Sequence, residues 1–412
     1  MTASAARSIL PPLSPEERHH SRSLAGLIRA QLAAAGGWLS FERFMELALY
    51  APGLGYYSAG SVKIGVGGDF VTAPEVSDLF NRCVARQCAE ILTTTGGGIL
   101  ELGAGTGRMA ATVLTALAAQ GVLPERYAIL EVSADLAARQ RARLAQLPPQ
   151  LRERVVWLEG LPQSPLRGVM LANEVADALP CRRFTWRDGA VRELGVALDE
   201  TTASAGGATG GAPETCGEEI SFREQSAAAE PALARACEGL LASLDGELPP
   251  GYVSELCLRV GPWIASLSEC LERGVLLLCD YGLPRRHYYH RERASGTLRC
   301  HFKQRAHADP YINVGVQDIT AWVDFTRIAE AALAAGLTVS GFATQAAFLL
   351  ATGLEGLVAE GGDGGPRARL AGEARRLVLP EEMGEAFKFM ALTRGYDAPL
   401  CGFALQDLRH LL

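Results

Sequence analysis

A glycine-rich turn is the feature of this chain whose residue types and spacing point most directly to chemistry. Residues 99–107 read Ile-Leu-Glu-Leu-Gly-Ala-Gly-Thr-Gly, an apolar run that carries an acid and ends in Gly103, Gly105 and Gly107. Because glycine has no Cβ, such a turn is tight and lets backbone N–H groups approach a ligand at the start of the next helix. The pattern predicts a parallel strand leading onto a nucleotide-like ligand. The alternative is an ordinary strand-to-helix connection.

Two acids beside this turn narrow the choice of ligand. Glu101 lies two residues before the first glycine, where its carboxylate would attract the ammonium group of S-adenosylmethionine (SAM) and repel a pyrophosphate. Glu131 ends a second apolar run and is placed to accept ribose hydroxyls, as it would also be in a dinucleotide enzyme. The dinucleotide pattern Gly-x-Gly-x-x-Gly is broken by Arg108, which stands where its last glycine belongs. These residues predict a SAM site.

The end of the predicted fourth strand holds the residues best placed to orient a methyl acceptor. Acids at the carboxyl ends of parallel strands face the ligand crevice. Carboxylates hold the planar fork of a guanidinium and accept its proton, which favours Glu174 and Asp177. Together with the neighbouring Asn173 they are the candidate catalytic residues. Asp69 and Glu75, from an earlier glycine-rich loop, are candidates for acceptor binding. The structural alternative is that Asp177 caps a helix and Glu174 pairs with a surface arginine.

A long segment at 283–316 shows little periodicity and is predicted to be a lid. It interleaves basic residues with tyrosines and holds four of the seven histidines of the chain. Such a composition could bind RNA or an acidic partner, although a solvated loop held by local acids is the commoner explanation. No carboxylate or thiol lies at matching spacing from His287 and His290, so no metal site is predicted.

The bulk composition excludes several classes of protein. A net charge of −7 argues against a general electrostatic nucleic-acid binder. The ten cysteines are scattered without a C-x-x-C pair, which predicts a reducing, cytoplasmic protein. No window offers about 18 uninterrupted apolar residues, so no membrane span is predicted.

The order of apolar runs and helical patterns predicts an α/β protein with a Rossmann-like SAM-dependent methyltransferase fold. Strands that alternate with helices form a mostly parallel sheet, predicted here to have seven strands and an antiparallel terminal strand. The predicted strands are 98–102, 127–131, 155–159, 168–172, 274–280, 337–345 and 387–393. Helices are predicted from Ser14 to residue 35, from Ser40 to Tyr50, and from Asp318 to Ala335.

The chain is predicted to consist of an extension and a core. Residues 1–80 form an N-terminal helical and glycine/aromatic loop extension, and residues 81–412 form the methyltransferase core. The core carries an inserted hairpin and helical region at 183–272, with an Asp188-Gly189 turn, and the lid at 283–316. A Gly/Ala/Thr-rich stretch at 201–217 is predicted to be disordered.

Six groups of motifs, in order along nearly the whole chain, carry a family resemblance. They are Pro52-Gly-Leu-Gly-Tyr-Tyr57, Gly68-Asp-Phe-Val-Thr-Ala-Pro-Glu75, Glu101-Leu-Gly-Ala-Gly-Thr-Gly107, Asn173-Glu174 with Asp177-Ala-Leu-Pro180, Asp280-Tyr-Gly282, and Gln317-Asp-Ile-Thr320 with Val323-Asp-Phe325. With them the chain resembles the MidA-like family of SAM-dependent methyltransferases. The mitochondrial members of that family are protein-arginine methyltransferases that assist respiratory complex I assembly.

The resemblance implies roles for several residues. It implies that the glycine turn and Glu131 bind SAM and that the substrate is a protein, with a respiratory complex I subunit as the first one to test. Asp280 and Tyr281, from the fifth motif, are assigned to acceptor binding. The chain departs from the family at Val175, where an aromatic residue is usual, and at Trp322, where histidine is usual. The second departure argues against a general base at that position.

Three other functions compete with protein-arginine methylation. An RNA methyltransferase would use the basic lid and bind RNA in a steeply salt-dependent manner. A non-catalytic assembly chaperone would bind SAM without turnover. A dehydrogenase is disfavoured by Arg108 and by the terminal strand pair. A nucleobase acceptor loses support because Asn173 is followed by Glu-Val-Ala and not by a Pro-Pro-aromatic turn.

Overall fold

The computed structural model of this 412-residue chain describes residues 10–59, 69, 71–187, 189–199, 220–244, 248–362 and 364–412. The chain divides into two units. Unit 1 comprises Met1–Ser61, Leu179–Leu258 and Tyr289–Ala321, and unit 2 comprises Val62–Ala178, Arg259–Tyr288 and Trp322–Leu412. The predicted extension at 1–80 and core at 81–412 stay predictions.

The helices of the described residues are numbered in chain order. They are α1 (Pro15–Ala34), α2 (Phe41–Tyr50), α3 (Ala73–Val76), α4 (Asp78–Thr95), α5 (Arg108–Ala119), α6 (Ala134–Leu144), α7 (Pro149–Arg152), α8 (Pro231–Ala242), α9 (Val260–Glu269), α10 (Arg285–Tyr288), α11 (Phe325–Ala334), α12 (Gln345–Ala351), α13 (Leu354–Ala359) and α14 (Gly365–Val378). Short 3-10 helices follow at Cys401–Phe403 and Arg409–Leu411.

The strands of the same residues are numbered likewise. They are β1 (Leu39–Ser40), β2 (Gly98–Leu102), β3 (Tyr127–Leu130), β4 (Val155–Leu158), β5 (Leu166–Asn173), β6 (Arg182–Arg187), β7 (Ala190–Leu198), β8 (Phe222–Ala228), β9 (Tyr252–Leu256), β10 (Leu271–Leu283), β11 (Arg299–Phe302), β12 (Arg305–His307), β13 (Asp318–Thr320), β14 (Val323–Asp324), β15 (Thr338–Thr344) and β16 (Phe387–Arg394).

The first two helices begin at the residues that the sequence indicates. Ser14 caps α1, where its hydroxyl accepts from the backbone of Glu17 and the Glu17 carboxylate accepts from the Ser14 backbone. Pro15 takes the first helical position, where its missing N–H costs nothing. Ser40 caps α2 through its hydroxyl, which accepts from the Arg43 backbone N–H at 3.3 Å. Both predicted helices are therefore confirmed, with α1 ending one residue earlier than predicted.

Unit 2 is built on one large sheet with strand order β15-β16-β10-β5-β2-β3-β4. Neighbours from β10 to β4 are parallel, whereas β16 is antiparallel to both β10 and β15. A buried apolar core packs on one face, with contributions from α4, α5 and α12. Because the central strands are parallel, their carboxyl ends share one edge, which is where a ligand binds in such sheets.

The prediction of a mostly parallel sheet in a methyltransferase-like α/β fold is confirmed. Within the described residues the sheet has eight strands, however, since the short strand β14 pairs with β10 beside the main path. That pairing depends on Gly282, because a Cβ there would lie 2.2 Å from the Val323 carbonyl oxygen. The arrangement of seven strands alone is not what the structure has.

The helix predicted from Asp318 to Ala335 was wrong in its first part. Residues Asp318–Thr320 and Val323–Asp324 are strands, and the helix α11 begins at Phe325. Its start is set by Asp324, whose carboxylate accepts from the Arg327 backbone N–H at 3.1 Å. The capping residue thus lies six positions after the predicted start.

The described residues of unit 1 form two antiparallel sheets. Strand β7 pairs with β1, β6 and β8, and β9 pairs with β6. The predicted hairpin is the β6–β7 pair, although Asp188 of its turn lies outside the described residues, as does the stretch 201–217. Strands β12, β11 and β13 form the second sheet, so part of the segment predicted to lack periodicity is regular structure.

Candidate functional site

The glycine turn lies at the carboxyl edge of the unit 2 sheet, between β2 and α5. All three glycines have positive φ, +63° at Gly103, +53° at Gly105 and +79° at Gly107, a conformation that disfavours other residues. The Gly103 N–H donates to the Leu130 carbonyl at 2.9 Å and so ties the turn to β3. A Cβ at Gly107 would lie 3.2 Å from the Cα of Gln140 in α6. At Gly107 a side chain would therefore meet both a strained backbone and a tight contact.

The residue that breaks the dinucleotide pattern has a structural role. Arg108 begins α5, and its guanidinium donates to the Asp78 carboxylate at 2.9 Å and to the Glu75 carbonyl. The Glu75 carboxylate in turn accepts from the Thr106 hydroxyl within the turn. Glu75, predicted to bind the acceptor, therefore lies against the glycine turn.

Glu101 lies beneath the turn in a buried position. Its side chain is 1% exposed, and its carboxylate accepts from the Tyr127 hydroxyl at 2.7 Å. Burial raises the pKa of this carboxyl to about 7; the Tyr127 hydrogen bond opposes the shift and the Glu131 charge adds to it. Its role toward the ammonium group of SAM stays a prediction.

Glu131 follows the last residue of β3 and is held from two sides. One carboxylate oxygen accepts from the Ser133 N–H at 2.9 Å, and the other accepts from the Gln140 side-chain amide at 2.9 Å. Beside it Val132 is 73% exposed, and Leu161, beyond the end of the neighbouring strand β4, is exposed as well. Sequence reasoning missed Gln140 and this apolar surface.

These residues fit SAM. A glycine turn with positive φ suits the close approach of backbone to ligand, an acid at the end of β3 suits ribose hydroxyls, and exposed aliphatic side chains suit a purine face. Their assignment as cofactor contacts stays a prediction.

The loop after β5 brings together the three predicted catalytic residues. Glu174 has φ +53°, which is strained for a residue with a side chain, and its N–H donates to the Cys279 carbonyl at 2.8 Å. The Asn173 amide donates to the Glu174 carboxylate at 3.1 Å. Asp177 caps no described helix, since the next described element is strand β6.

Two acceptor atoms of this loop lack partners. Asn173 Oδ1 and Asp177 Oδ1 are buried and make no hydrogen bond within the described part of the chain. A buried polar atom without a partner is costly unless a ligand supplies one. Both atoms are hydrogen-bond acceptors, so a ligand that carries N–H or O–H donors would satisfy them.

Asp280 holds this loop from β10. Its carboxylate accepts from the N–H groups of Ala176 at 3.0 Å, Asp177 at 3.2 Å and Tyr281 at 2.8 Å. Burial, followed by repulsion from Asp177 and Glu174, raises the pKa of Asp280 well above its usual range. Asp280, which was predicted to bind the acceptor, thus uses its carboxylate to bind backbone N–H groups of its own chain.

Asp177 is also buried, and burial raises its pKa to about 6, while a hydrogen bond from the Tyr281 hydroxyl opposes the shift. The Tyr281 ring packs edge-on against Phe387 at 5.4 Å and Trp322 at 6.5 Å between ring centroids. The structure therefore brings Asp177, Asp280 and Tyr281 together.

The two departures from the family lie at this site. Val175 contacts the glycine turn, since a Cβ at Gly103 would lie 3.4 Å from its Cγ2. Trp322 packs on Tyr281 as an aromatic wall and not as a base. Asp69 is buried at 9% exposure, and most of its sequence neighbours lie outside the described residues.

Several basic residues of the predicted lid are paired with acids. Arg285 donates to Glu330 at 2.7 Å and lies 3.5 Å from Asp324, and Lys303 lies 2.8 Å from Glu17. For Arg285 and Lys303 the structure therefore agrees with the explanation that acids of the same chain pair with the basic residues of this segment. The described residues contain no cluster of three metal-ligating side chains and no helix long and apolar enough to cross a membrane.

Comparison with known proteins gives consistent matches. A profile of the family described as "Putative S-adenosyl-L-methionine-dependent methyltransferase" matches residues 83–343. "Protein arginine methyltransferase NDUFAF7, mitochondrial" from Danio rerio is 27% identical over 391 residues, covering 87% of this chain and 84% of that protein. Its homolog from Drosophila melanogaster is 29% identical over 431 residues, covering 96% and 91%.

A solved structure is also similar. A protein from Burkholderia thailandensis, crystallised with bound S-adenosyl-homocysteine, is 40% identical and superimposes with a TM-score of 0.87. The match covers 98% of this chain and 100% of that chain.

The prediction of a cytoplasmic protein was wrong by these comparisons, since the curated relatives are named as mitochondrial proteins. All nine described cysteines are free thiols. Free thiols indicate a reducing compartment without identifying which one it is, so the cysteines could not support the choice of the cytoplasm.

The family match and the relative with bound S-adenosyl-homocysteine agree with the cofactor predicted from the glycine turn. SAM is the cofactor, and the protein is a SAM-dependent methyltransferase. Since the profile spans more than half of the chain, the protein belongs to the MidA-like family of SAM-dependent methyltransferases.

Proposed function

We propose that this methyltransferase acts on proteins and methylates a guanidinium nitrogen of arginine. The curated relatives carry the name protein arginine methyltransferase. The observation that carries the proposal is a pair of buried oxygens, Asn173 Oδ1 and Asp177 Oδ1, for which the described residues supply no hydrogen-bond donor. A guanidinium presents five N–H donors in a rigid plane and is suited to satisfy both.

The cofactor is held by groups at the carboxyl edge of the sheet. SAM, when bound, supplies a methyl group on a positively charged sulfur. We assign the backbone of Gly103, Gly105 and Gly107 to the approach of the amino acid part, Glu101 to its ammonium group and Glu131 to the ribose hydroxyls. Glu75 supports the turn through Thr106 and does not have to touch the acceptor.

The acceptor loop orients arginine and takes its proton. As the bond from nitrogen to the methyl carbon forms, the bond from sulfur to that carbon breaks, and the guanidinium loses one proton. Glu174 holds the charged fork, because its strained backbone fixes where its side chain starts. Asp177 accepts the proton, for which a pKa raised to about 6 is well placed near neutrality.

Other residues complete the acceptor site in this proposal. Asp280 fixes the loop through three backbone N–H groups, and Tyr281 orients the Asp177 carboxylate. Asp69 is a further acceptor contact. The first protein acceptor to test is a respiratory complex I subunit, a link that comes from the family resemblance.

Label transfer tests this proposal. The protein is incubated with radiolabelled SAM and a cell extract treated with protease or RNase, and the labelled amino acid is identified after acid hydrolysis. We expect protease-sensitive label recovered as methylarginine. Glu174→Gln and Asp177→Asn should lower transfer by about 100-fold, as loss of a positioned acid or base does, while SAM affinity stays within about threefold.

Glu272→Gln is the matched control. Glu272 is exposed at the opposite end of β10, so the same chemical change there should leave transfer unchanged. RNase-sensitive label would identify RNA as the acceptor and reject the proposal. SAM binding without any label in protein or RNA would favour an assembly chaperone.

A further inference from the structure

We propose that Gln140 is a positioning residue of the cofactor site. Its side chain holds the glycine turn and Glu131, the acid assigned to the ribose, in fixed positions relative to each other. It lies in α6 and is 0% exposed. The inference rests on the proposed role of Glu131 and adds a residue that no motif of the chain indicates.

The Gln140 amide bridges the two parts of the site. Its Nε2 donates to the Gly105 carbonyl at 2.9 Å and to the Glu131 carboxylate at 2.9 Å. A side-chain amide has two N–H groups, so each partner receives one. The bridge joins the loop after β2 to the loop after β3, which are sequence segments 26 residues apart at these two positions.

The orientation of this amide is determined by a third residue. The Trp157 indole donates to Gln140 Oε1 at 3.0 Å. An indole N–H is a donor only, so the oxygen of the amide must face it and the nitrogen must face the turn and Glu131. Arg141 lies over the same indole ring at 4.9 Å and helps to keep it in place.

The main chain of Gln140 also touches the turn. A Cβ built on Gly107 would lie 3.2 Å from Gln140 Cα and 3.3 Å from its Cγ. The positive φ of Gly107 and its contact with Gln140 therefore both favour glycine at this position. The helix α6 packs directly on the turn at this residue.

Both oxygens of the Glu131 carboxylate are held in place. Oε2 accepts from the Gln140 amide at 2.9 Å, and Oε1 accepts from the Ser133 N–H at 2.9 Å. Hydrogen bonds from two directions fix the plane of the carboxylate, which lowers the cost of ordering it when the cofactor binds.

The test compares two ligands by calorimetric titration. One is S-adenosyl-homocysteine and the other is its analogue that lacks the ribose 2′ and 3′ hydroxyls. Gln140→Leu should lower the affinity for S-adenosyl-homocysteine by about 10- to 100-fold, the range expected for a buried hydrogen bond to a charged group. It should lower the affinity for the analogue by less than about threefold. Gln146→Leu, at an exposed glutamine near the same helix, is the control and should change neither.

A second variant gives a readout that a packing role would not produce. Gln140→Glu places a carboxyl against Glu131, so affinity for S-adenosyl-homocysteine at pH 8 should fall below that of the unmodified protein. The ratio of the two affinities should return toward one as pH is lowered and the pair takes up a proton. Thermal unfolding monitors folding of each variant. If Gln140→Leu does not fold, Gln140→Glu is titrated with the two ligands instead.

The outcomes separate this inference from the role on which it rests. The unmodified protein should bind S-adenosyl-homocysteine more tightly than the analogue. If it does, but the variants lose affinity for both ligands equally, the role of Gln140 is rejected and that of Glu131 stands. If the unmodified protein binds both ligands equally, the ribose contact of Glu131 is wrong, and the inference about Gln140 is overturned with it.

Discussion

At the scale of single residues, the raised pKa of Glu101 makes its proposed contact with the ammonium group of SAM testable. Its carboxyl is buried and bonded to Tyr127, and burial raises its pKa to about 7. If the ammonium group of SAM binds beside it, the ionised form is favoured and the pKa falls. We therefore predict that SAM binding at pH 7 releases a fraction of a proton.

The measurement is titration calorimetry in two buffers with different ionisation enthalpies. Glu101→Gln should abolish the release, and at pH 9 the release should vanish in the unmodified protein because the carboxyl is already ionised there. An equal release from the unmodified protein and the Gln variant would show that another group loses the proton and that Glu101 is structural.

The same scale shows which site residues a sequence can reveal. The position of Glu131 at the end of β3 was predictable because an acid directly after an apolar run marks the end of a strand, while its role toward ribose stays a prediction. Gln140 was not, since a glutamine among arginines on a helix has the pattern of a solvated face, and only the packing of α6 on the turn buries it. Asp280 was found by motif, but its three backbone bonds needed the fold.

At the scale of elements, three glycines allow the central strands of unit 2 to meet. Gly98, Gly168 and Gly274 are cross-strand partners in β2, β5 and β10. A Cβ at Gly168 would lie 2.1 Å from the Gly98 carbonyl oxygen, and one at Gly274 would lie 1.9 Å from that of Gly168. The row lies in the first part of each strand, away from the carboxyl ends that form the site.

We predict that Gly168→Ala destabilises the protein by roughly 3 kcal/mol or more, because the new methyl group meets backbone and φ is +124°. Thermal unfolding followed by circular dichroism measures the effect. Gly372→Ala is the control, since that helical glycine has open space around its Cβ position and alanine favours helix. Equal midpoints for the two variants would contradict the prediction.

Element boundaries were predictable where local chemistry sets them and not where tertiary pairing does. Ser14 and Ser40 begin helices through their own hydroxyls, as predicted. The helix predicted from Asp318 fails before Phe325 because tertiary pairing decides there, since Gly282 of β10 lets the strand β14 approach closely enough to pair. A sequence read alone does not show that pairing.

At the scale of the whole molecule, the net charge of −7 bears on the proposed acceptor. An arginine-bearing protein region is commonly cationic, and a negatively charged enzyme attracts it over distances that salt screens, with a Debye length of about 8 Å at physiological ionic strength. Attraction of this kind acts on encounter and not on the methyl transfer step. The enzyme and its acceptor should therefore associate more weakly as salt rises.

We predict that raising KCl from about 50 to 500 mM increases KM for a basic arginine peptide by roughly three- to tenfold and leaves kcat nearly unchanged. Steady-state label transfer measures both constants. A peptide with the same central arginine and acidic flanks is the control, and its KM should stay constant or fall with salt, because screening removes a repulsion. A salt-independent KM for the basic peptide would show that local contacts of the acceptor loop, and not the charge of the molecule, select the substrate.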